Sequence, residues 1–295
     1  MATRAALRHH RWYRQASTAL SFPAKNRHLI ANPTSAAAGK ALTAPPLERA
    51  QAAGYALFLD VDGTLLPFAD RPDDVGVDTA LLALLTELGE RLDGALALVS
   101  GRTLLTLDAL FRPLRLPAGG LHGLELRYPD GAVARWPVDR EALSRLRAGM
   151  TAIVQRQPRL HLEDKGSSLA LHYRRAPALA ESALAAAAGL VAALGPAFVL
   201  QPGDHVAEIR PAGADKGRAL ASLMTSAPFA GRLPVMLGDD LTDEHAFAAA
   251  QRLGGFGVVV GGRRPTVARH ALPDIGAVRA WLILLARRLA PGTSS

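Results

Sequence analysis

Two aspartates spaced i, i+2, Asp60 and Asp62, follow the apolar run Tyr55-Ala56-Leu57-Phe58-Leu59 and precede Gly63 and Thr64. In extended chain every second side chain lies on the same face, so both carboxylates project to one side if that geometry persists through Val61. Like charges this close disfavour one another's ionisation unless a cation lies between them. Mg²⁺, which takes carboxylate oxygens and water, suits the pair. An EF-hand does not, because the positions that need Gly and a bidentate Glu hold Leu65 and Arg71. The rival reading is an acidic turn after a strand, with no ligand.

A second acidic group, Gly238-Asp239-Asp240-Leu241-Thr242-Asp243, also follows an apolar run. Alone it can merely cap the next helix, with Thr242 or Asp243 as N-cap. Together with the first group it favours a metal site. Ser100-Gly101-Arg102 ends a third apolar run and stands just before a predicted helix, a position whose free N–H groups favour anions. Lys216, between Asp215 and Gly217 at a helix start, is badly placed for solvation alone, because the helix dipole disfavours a cation there. Phosphoryl transfer needs an aligned nucleophile, a cation and donors to the phosphoryl oxygens. Asp60, Mg²⁺, Ser100 and Lys216 can fill those places.

The elements that must position these groups are legible as strand-length apolar runs alternating with helical periods. After the strand ending at Asp60, Leu81, Leu84, Leu85, Leu88 and Leu92 recur at helical spacing behind a suitable N-cap, Asp78. A strand over 95–99 and a helix over 103–111 come next. After Gly119-Gly120-Leu121-His122-Gly123 the texture changes, to helix (139–156), strands (160–162, 168–173), helix (179–194) and strands (198–201, 205–210). That pattern predicts a small α+β module with an antiparallel sheet. Alternation resumes with a helix from Lys216, a strand over 233–237, a helix over 244–252, a strand over 257–260 and a closing helix over 278–289. The expected fold is α/β, a doubly wound, mostly parallel sheet with an inserted α+β domain. The core is expected over 51–126 and 212–295, and the insert over 127–211. Open sheets of this kind bind ligands beyond the carboxyl ends of their strands, where the acidic groups and Ser100 fall.

With 49% hydrophobic residues over 295 positions, the chain can bury a sizeable core. The absence of Cys excludes disulfides, thiolate metal sites and Cys nucleophiles; it suits a reducing compartment, so a cytoplasmic location is expected. A net charge of +8 by itself points to nucleic acid or an anionic surface. Seven of those charges, however, come from Arg4, Arg8, Arg11, Arg14, Lys25, Arg27 and Lys40, in a stretch without acids, and the rest of the chain is nearly neutral. Residues 1–50 lack periodicity and are read as a disordered basic extension; their composition also resembles a transit peptide. Binding of nucleic acid or an anionic surface through this tail is the rival from a different class. Otherwise no nucleic-acid or membrane partner is expected, since no run approaches the roughly 20 apolar residues of a span.

Asp60-Val61-Asp62-Gly63-Thr64, Ser100-Gly101-Arg102, Lys216 and Gly238-Asp239-Asp240-x-x-Asp243 together resemble the four motifs of the haloacid-dehalogenase superfamily of phosphatases. More narrowly, Gly120-Leu121-His122-Gly123-Leu124-Glu125, Leu162-Glu163-Asp164-Lys165-Gly166, Leu169-Ala170-Leu171-His172-Tyr173-Arg174 and Val206-Ala207-Glu208-Ile209-Arg210-Pro211 resemble the trehalose-phosphatase family, from about Tyr55 to Leu285. The resemblance implies Mg²⁺-dependent hydrolysis of trehalose 6-phosphate through an aspartyl-phosphate. Asp60 is then the nucleophile and Asp62 the proton donor and acceptor. Asp60, the backbone carbonyl of Asp62 and Asp239 hold Mg²⁺, with Asp240 and Asp243, and Gly101 and Arg102, in support. Ser100 and Lys216 bind the phosphoryl oxygens. The insert becomes a cap in which Glu163, Lys165 and Glu208 contact glucose hydroxyls. The nearest alternative is another sugar phosphate, such as sucrose phosphate or a glycosyl-phosphoglycerate. His122, His172 and Arg174 receive no role from the resemblance, and His172 is read equally as a structural imidazole or a ligand contact.

Overall fold

Strand β1 (Tyr55–Leu59) is buried along its whole length, flanked in parallel by β2 (Leu96–Val99) and β10 (Leu233–Gly238). A parallel strand covered on both faces has no solvent side, which is why its sequence is continuously apolar. The computed structural model describes residues 42–48, 54–68, 76–203 and 205–290, all within one compact unit, Leu42–Ser295. The basic run Arg4–Lys40 lies outside the described residues.

The large sheet adds β3 (Ala118–Gly120), β4 (Glu125–Arg127), β5 (Val133–Arg135), β11 (Phe256–Val260) and β12 (His270–Leu272), in the order β12-β11-β10-β1-β2-β3-β4-β5. Only the β3–β4 and β4–β5 pairs are antiparallel. Chain order reverses at β1, whose sequence neighbour β2 lies on one side while β10 returns on the other. Such a switch point opens a crevice at the carboxyl ends of the strands. Helices α1 (Thr79–Arg91) and α2 (Leu104–Leu110) follow β1 and β2. Asp78 caps α1 as its side chain accepts from Leu81 N at 2.7 Å, and Leu81, Leu85 and Leu88 face the core.

A second, four-stranded sheet has the order β6-β7-β9-β8, built from β6 (His161–Asp164), β7 (Leu169–His172), β8 (Phe198–Gly203) and β9 (Val206–Pro211), all antiparallel. Alternation sorts its faces. Leu169, Leu171, Ala207 and Ile209 pack with Leu146 and Met150 of α3 (Arg140–Arg156) and with Ala183 and Ala187 of α4 (Ala180–Leu194). On the other face Glu163, Ala170, Glu208 and Gln201 form one rung across the four strands. By length and composition Pro177–Leu194 is apolar enough to cross a membrane, with a mean hydropathy of 1.6. Much of that value is alanine, and here its Ala183 and Ala187 lie buried against the sheet.

The chain then returns to the large sheet through α5 (Lys216–Leu223), α6 (Asp243–Arg252) and α7 (Ile275–Leu289). Three features depart from the sequence expectations. Residues 42–48, read as part of an unstructured extension, lie along the sheet edge: Thr43 bridges His270 in parallel, and Pro46 O and Pro45 O accept from Tyr55 Oη at 2.8 Å and Trp281 Nε1 at 3.1 Å. Their partners are distant in sequence, so no local pattern announces them. The β4–β5 hairpin carries the large sheet to Arg135, past the expected boundary at residue 126, on strands of three residues, too short to show a period. The strand β12, also three residues long, has no sequence signature for the same reason.

Candidate active site

Parallel registry sets the first part of the site. Leu59 lies opposite Leu237 and Asp60 N donates to Leu237 O at 3.0 Å, so the ends of β1 and β10 present Asp60 and Asp239 side by side. Gly63 lets them approach: its φ is +85°, and a Cβ there would lie 2.3 Å from Asp239 Oδ2. Thr64 Oγ1 donates to Asp239 Oδ1 at 3.1 Å. Lys216, the first residue of α5, turns inward, and its Nζ donates to Asp60 Oδ1 and Asp243 Oδ1, each at 2.8 Å. All three side chains are buried. Asp243 Oδ2 also accepts from the backbone N of Asp239 at 3.0 Å and of Asp240 at 3.1 Å. Thr242 is the N-cap residue of α6, as the rival capping reading allowed, but its side chain makes no capping bond. Asp240 Oδ1 instead holds the turn, accepting from Thr242 N at 2.7 Å and Asp243 N at 3.2 Å.

Carboxylate oxygens of Asp60, Asp239 and Asp243 lie within 4.8 Å of one another. Burial raises Asp60, Lys216 pulls it back, and Asp239 and Asp240 raise it again, leaving its pKa at about 8. Burial and the Asp243 and Asp240 charges bring Asp239 to about 6. Burial opposes the Lys216 charge, but Asp243 and Asp60 outweigh it and hold the ammonium well above its ordinary value. The cluster therefore carries more negative charge than Lys216 balances, on oxygen donors only. That donor set fits a hard divalent cation.

Asp62 turns away from this cluster. Arg102 grips it in bidentate fashion, Nε to Oδ2 at 2.8 Å and Nη2 to Oδ1 at 2.7 Å. Ser100, buried at the end of β2, accepts from Arg102 N through Oγ at 3.1 Å. The anion-binding geometry expected at the following helix is altered. Two of its first N–H groups are already satisfied, Leu104 N by Glu125 Oε2 at 2.9 Å and Thr106 N by Thr103 Oγ1 at 3.0 Å. Glu125 comes from β4, a strand without a sequence signature.

The polar face of the small sheet gathers the other predicted residues. Glu208 accepts from Lys165 Nζ at 3.0 Å and Ser168 Oγ at 2.8 Å. Burial pushes Glu208 up, but His122, Lys165 and Ser168 outweigh it and hold the carboxylate well below its usual range. Glu163 meets His172 Nε2 at 2.8 Å, and although burial raises it, His172 and Lys165 leave it lowered. His172 thus has an internal partner. Alternation sends Asp164 the opposite way, to Arg147 Nε at 2.5 Å. Sequence reasoning passed over Thr64 and Ser168, and also Arg263, which donates to Asp239 O at 3.2 Å and pairs with Glu244. Thr64 and Ser168 lie inside or beside recognisable motifs; nothing local marks Arg263.

A family model described as trehalose-phosphatase matches residues 58–273. The chain is 42% identical over 240 residues to the trehalose-6-phosphate phosphatase of Escherichia coli K12, covering 80% of this chain and 88% of that one. It is equally identical, at 42% over 240 residues, to a probable trehalose-phosphate phosphatase of Sinorhizobium fredii, covering 79% and 88%. Among solved structures, the C-terminal domain of Candida albicans trehalose-6-phosphate phosphatase shares the fold with a TM-score of 0.73 at 23% identity, covering 84% of this chain and 98% of that one. Aspergillus fumigatus trehalose-6-phosphate phosphatase superposes with a TM-score of 0.59 at 25% identity, covering 84% and 99%.

Proposed function

The chain belongs to the trehalose-phosphatase family, and from that premise we propose that it hydrolyses trehalose 6-phosphate to trehalose and phosphate. The observation that carries this reading is a pairing of two sites. A buried Asp60–Lys216–Asp243 cluster offers a carboxylate nucleophile and a lysine ammonium, and the Glu208–Lys165–Glu163 face carries acceptors and a donor for hydroxyls.

Asp60 attacks phosphorus as the bond to the sugar oxygen breaks, and Asp62 gives that oxygen a proton. Asp62 then takes a proton from the water that attacks the aspartyl-phosphate, which frees phosphate and restores Asp60. Arg102 orients the Asp62 carboxylate during both proton transfers, through its bidentate contact. Lys216 and Ser100 supply charge and a hydroxyl to the phosphoryl oxygens. Asp60, Asp239 and the backbone carbonyl of Asp62 would hold Mg²⁺, with Asp243 acting through Lys216. When bound, the ion offsets the surplus carboxylate charge and the charge developing on the phosphoryl group. The segment from Trp136 to Pro211 serves as the cap, and its Glu163, Lys165 and Glu208 read the glucose hydroxyls.

Phosphate release from trehalose 6-phosphate, sucrose phosphate, glucosyl-phosphoglycerate and p-nitrophenyl phosphate, each with Mg²⁺ or with EDTA, tests this reading. Trehalose 6-phosphate is expected to have the highest kcat/KM, and EDTA to abolish turnover. A higher value for another sugar phosphate, or turnover indifferent to EDTA, would overturn it.

A further inference from the structure

The turn Leu121–Gly123 joins three parts of the site, and none of the roles assigned above uses the side chain at its centre. His122 has φ +54° and ψ 30°, a left-handed conformation uncommon outside glycine, and its side chain is buried. The turn is stitched to the phosphate-binding loop, with His122 N donating to Ser100 O at 2.9 Å and Leu121 N to Arg102 O at 2.8 Å. Its other side abuts the start of α5, where a Cβ on Gly123 would lie 2.6 Å from Asp215 O, next to Lys216. The imidazole lies over Gly101, and a Cβ there would come within 2.7 Å of His122 Nε2. The small residue of Ser100-Gly101-Arg102 thus leaves room for this ring.

Across the seam, His122 Nε2 stands 3.7 Å from Glu208 Oε2. That is too long for a hydrogen bond, yet a closure of under about 1 Å makes one, and contacts in unliganded sites commonly tighten in this way. Nδ1 is buried without a hydrogen-bond partner. With the proton on Nε2 it is a bare acceptor, which costs less than an orphaned donor. Burial pushes His122 below its ordinary pKa, against the opposing pull of the Glu208 carboxylate.

We propose that His122 is a positioning residue whose Nε2–H hydrogen bonds to Glu208 when the cap closes on the sugar, coupling sugar occupancy to the Ser100–Arg102 loop. The inference rests on the proposed reading of the site. Through His122 the cap's sugar-reading carboxylate bears on the backbone that carries Ser100 and on the arginine that orients Asp62. A substrate that fills the cap would thereby set the loop, and a small phosphate ester would not.

A double-mutant cycle on the full chain tests the coupling. His122→Asn keeps a side chain that tolerates the left-handed backbone, and Glu208→Gln keeps the shape of its partner. Each single change is expected to lower kcat/KM for trehalose 6-phosphate by roughly 10- to 100-fold, with a markedly smaller loss on p-nitrophenyl phosphate. The double variant should be no more than about threefold worse than the poorer single one, because one shared interaction is lost only once. Gly101→Ala, which pushes the ring aside, should reproduce the selective loss and add little in the His122→Asn background. Losses that multiply in the double variant, or that fall equally on both substrates, overturn the proposal. So does a His122→Asn variant that fails to fold alongside a Gly101→Ala variant that folds without selective loss. Failure of the wild type to release phosphate from trehalose 6-phosphate would instead overturn the functional reading.

Discussion

The Asp60–Lys216–Asp243 cluster and the Glu208–Lys165–Glu163 face both consist of buried or half-buried ionisable side chains, yet they are balanced in opposite ways. Around Asp60 several carboxylates share one lysine, and two of them are pushed to pKa values of about 8 and 6. Around Glu208 the carboxylates are matched by Lys165, Ser168 and His172, and both glutamates are pulled down. The first region is electrostatically incomplete without a cation. The second is already internally paired, so any hydroxyl that binds there must displace a partner already present. Removing charge should therefore relieve the first region and disrupt the second.

The largest break in this contrast comes from Asp60→Asn. Loss of the proposed nucleophile should lower kcat/KM on the order of 10⁴-fold or more. Without metal at pH 8, its thermal midpoint should nonetheless equal or exceed that of the wild type, since a buried repulsive charge has gone. A lower midpoint would mean that the carboxylate contributes more through Lys216 than it loses by burial.

Metal ranks next. Asp60 and Asp239 have folded pKa values above the ordinary aspartate value of 3.8, so between about pH 4 and 8 these two groups bind more protons in the folded state than in the unfolded one. Metal-free stability should thus fall as pH rises through that window. Mg²⁺ competes with those protons, so its stabilisation should grow with pH. At a concentration near 100 Kd, a shift in Tm of roughly 5–10 °C is expected at pH 8. Calorimetry with EDTA or Mg²⁺ at pH 5.5 and 8 checks the sign, and a larger Mg²⁺ effect at pH 5.5 would contradict the charge imbalance.

The two regions also differ in how far the sequence discloses them. Asp60, Asp62, Ser100, Lys216 and Asp239 each sit where an apolar strand ends or a helix begins, so parallel-sheet geometry alone gathers them. Glu163 and Glu208 are 45 positions apart and become neighbours on one rung only through β7, with Ala170 between them. Without the family resemblance, no periodicity would have paired them. The hairpin β4–β5, the docked residues 42–48 and Arg263 were illegible for a related reason. Residues 42–48 and Arg263 depend on partners far along the chain, and the three-residue strands of the hairpin are too short to show a period. Asp240 differs: the acidic run was legible, but its role in shaping the turn became apparent only from its bonds to Thr242 and Asp243.

On the balanced side, Glu208→Ala should lower kcat/KM for trehalose 6-phosphate about 100-fold and affect p-nitrophenyl phosphate far less, because it leaves a hydroxyl-reading site with unpaired polar groups. Equal losses on both substrates would place Glu208 in the phosphate site rather than the sugar site.

The smallest expected effect sharpens the comparison from within the small-sheet region. Arg147–Asp164 has the tighter ion-pair geometry, at 2.5 Å against 3.0 Å for Lys165–Glu208, but its side chains are 42% and 40% exposed against 15% and 7%. Exposed pairs contribute about 0.2–1 kcal/mol, since water competes for both partners. Asp164 also points away from the Glu163–Glu208 face, because it alternates with Glu163 along β6. Arg147→Ala should therefore shift Tm by less than about 3 °C and change KM for trehalose 6-phosphate by less than about threefold. If KM instead rises tenfold or more, the pair does more than occupy the surface: it would set the 164–166 turn from which Lys165 reaches Glu208, and burial would no longer separate the cap's supporting ion pairs from its reading ones.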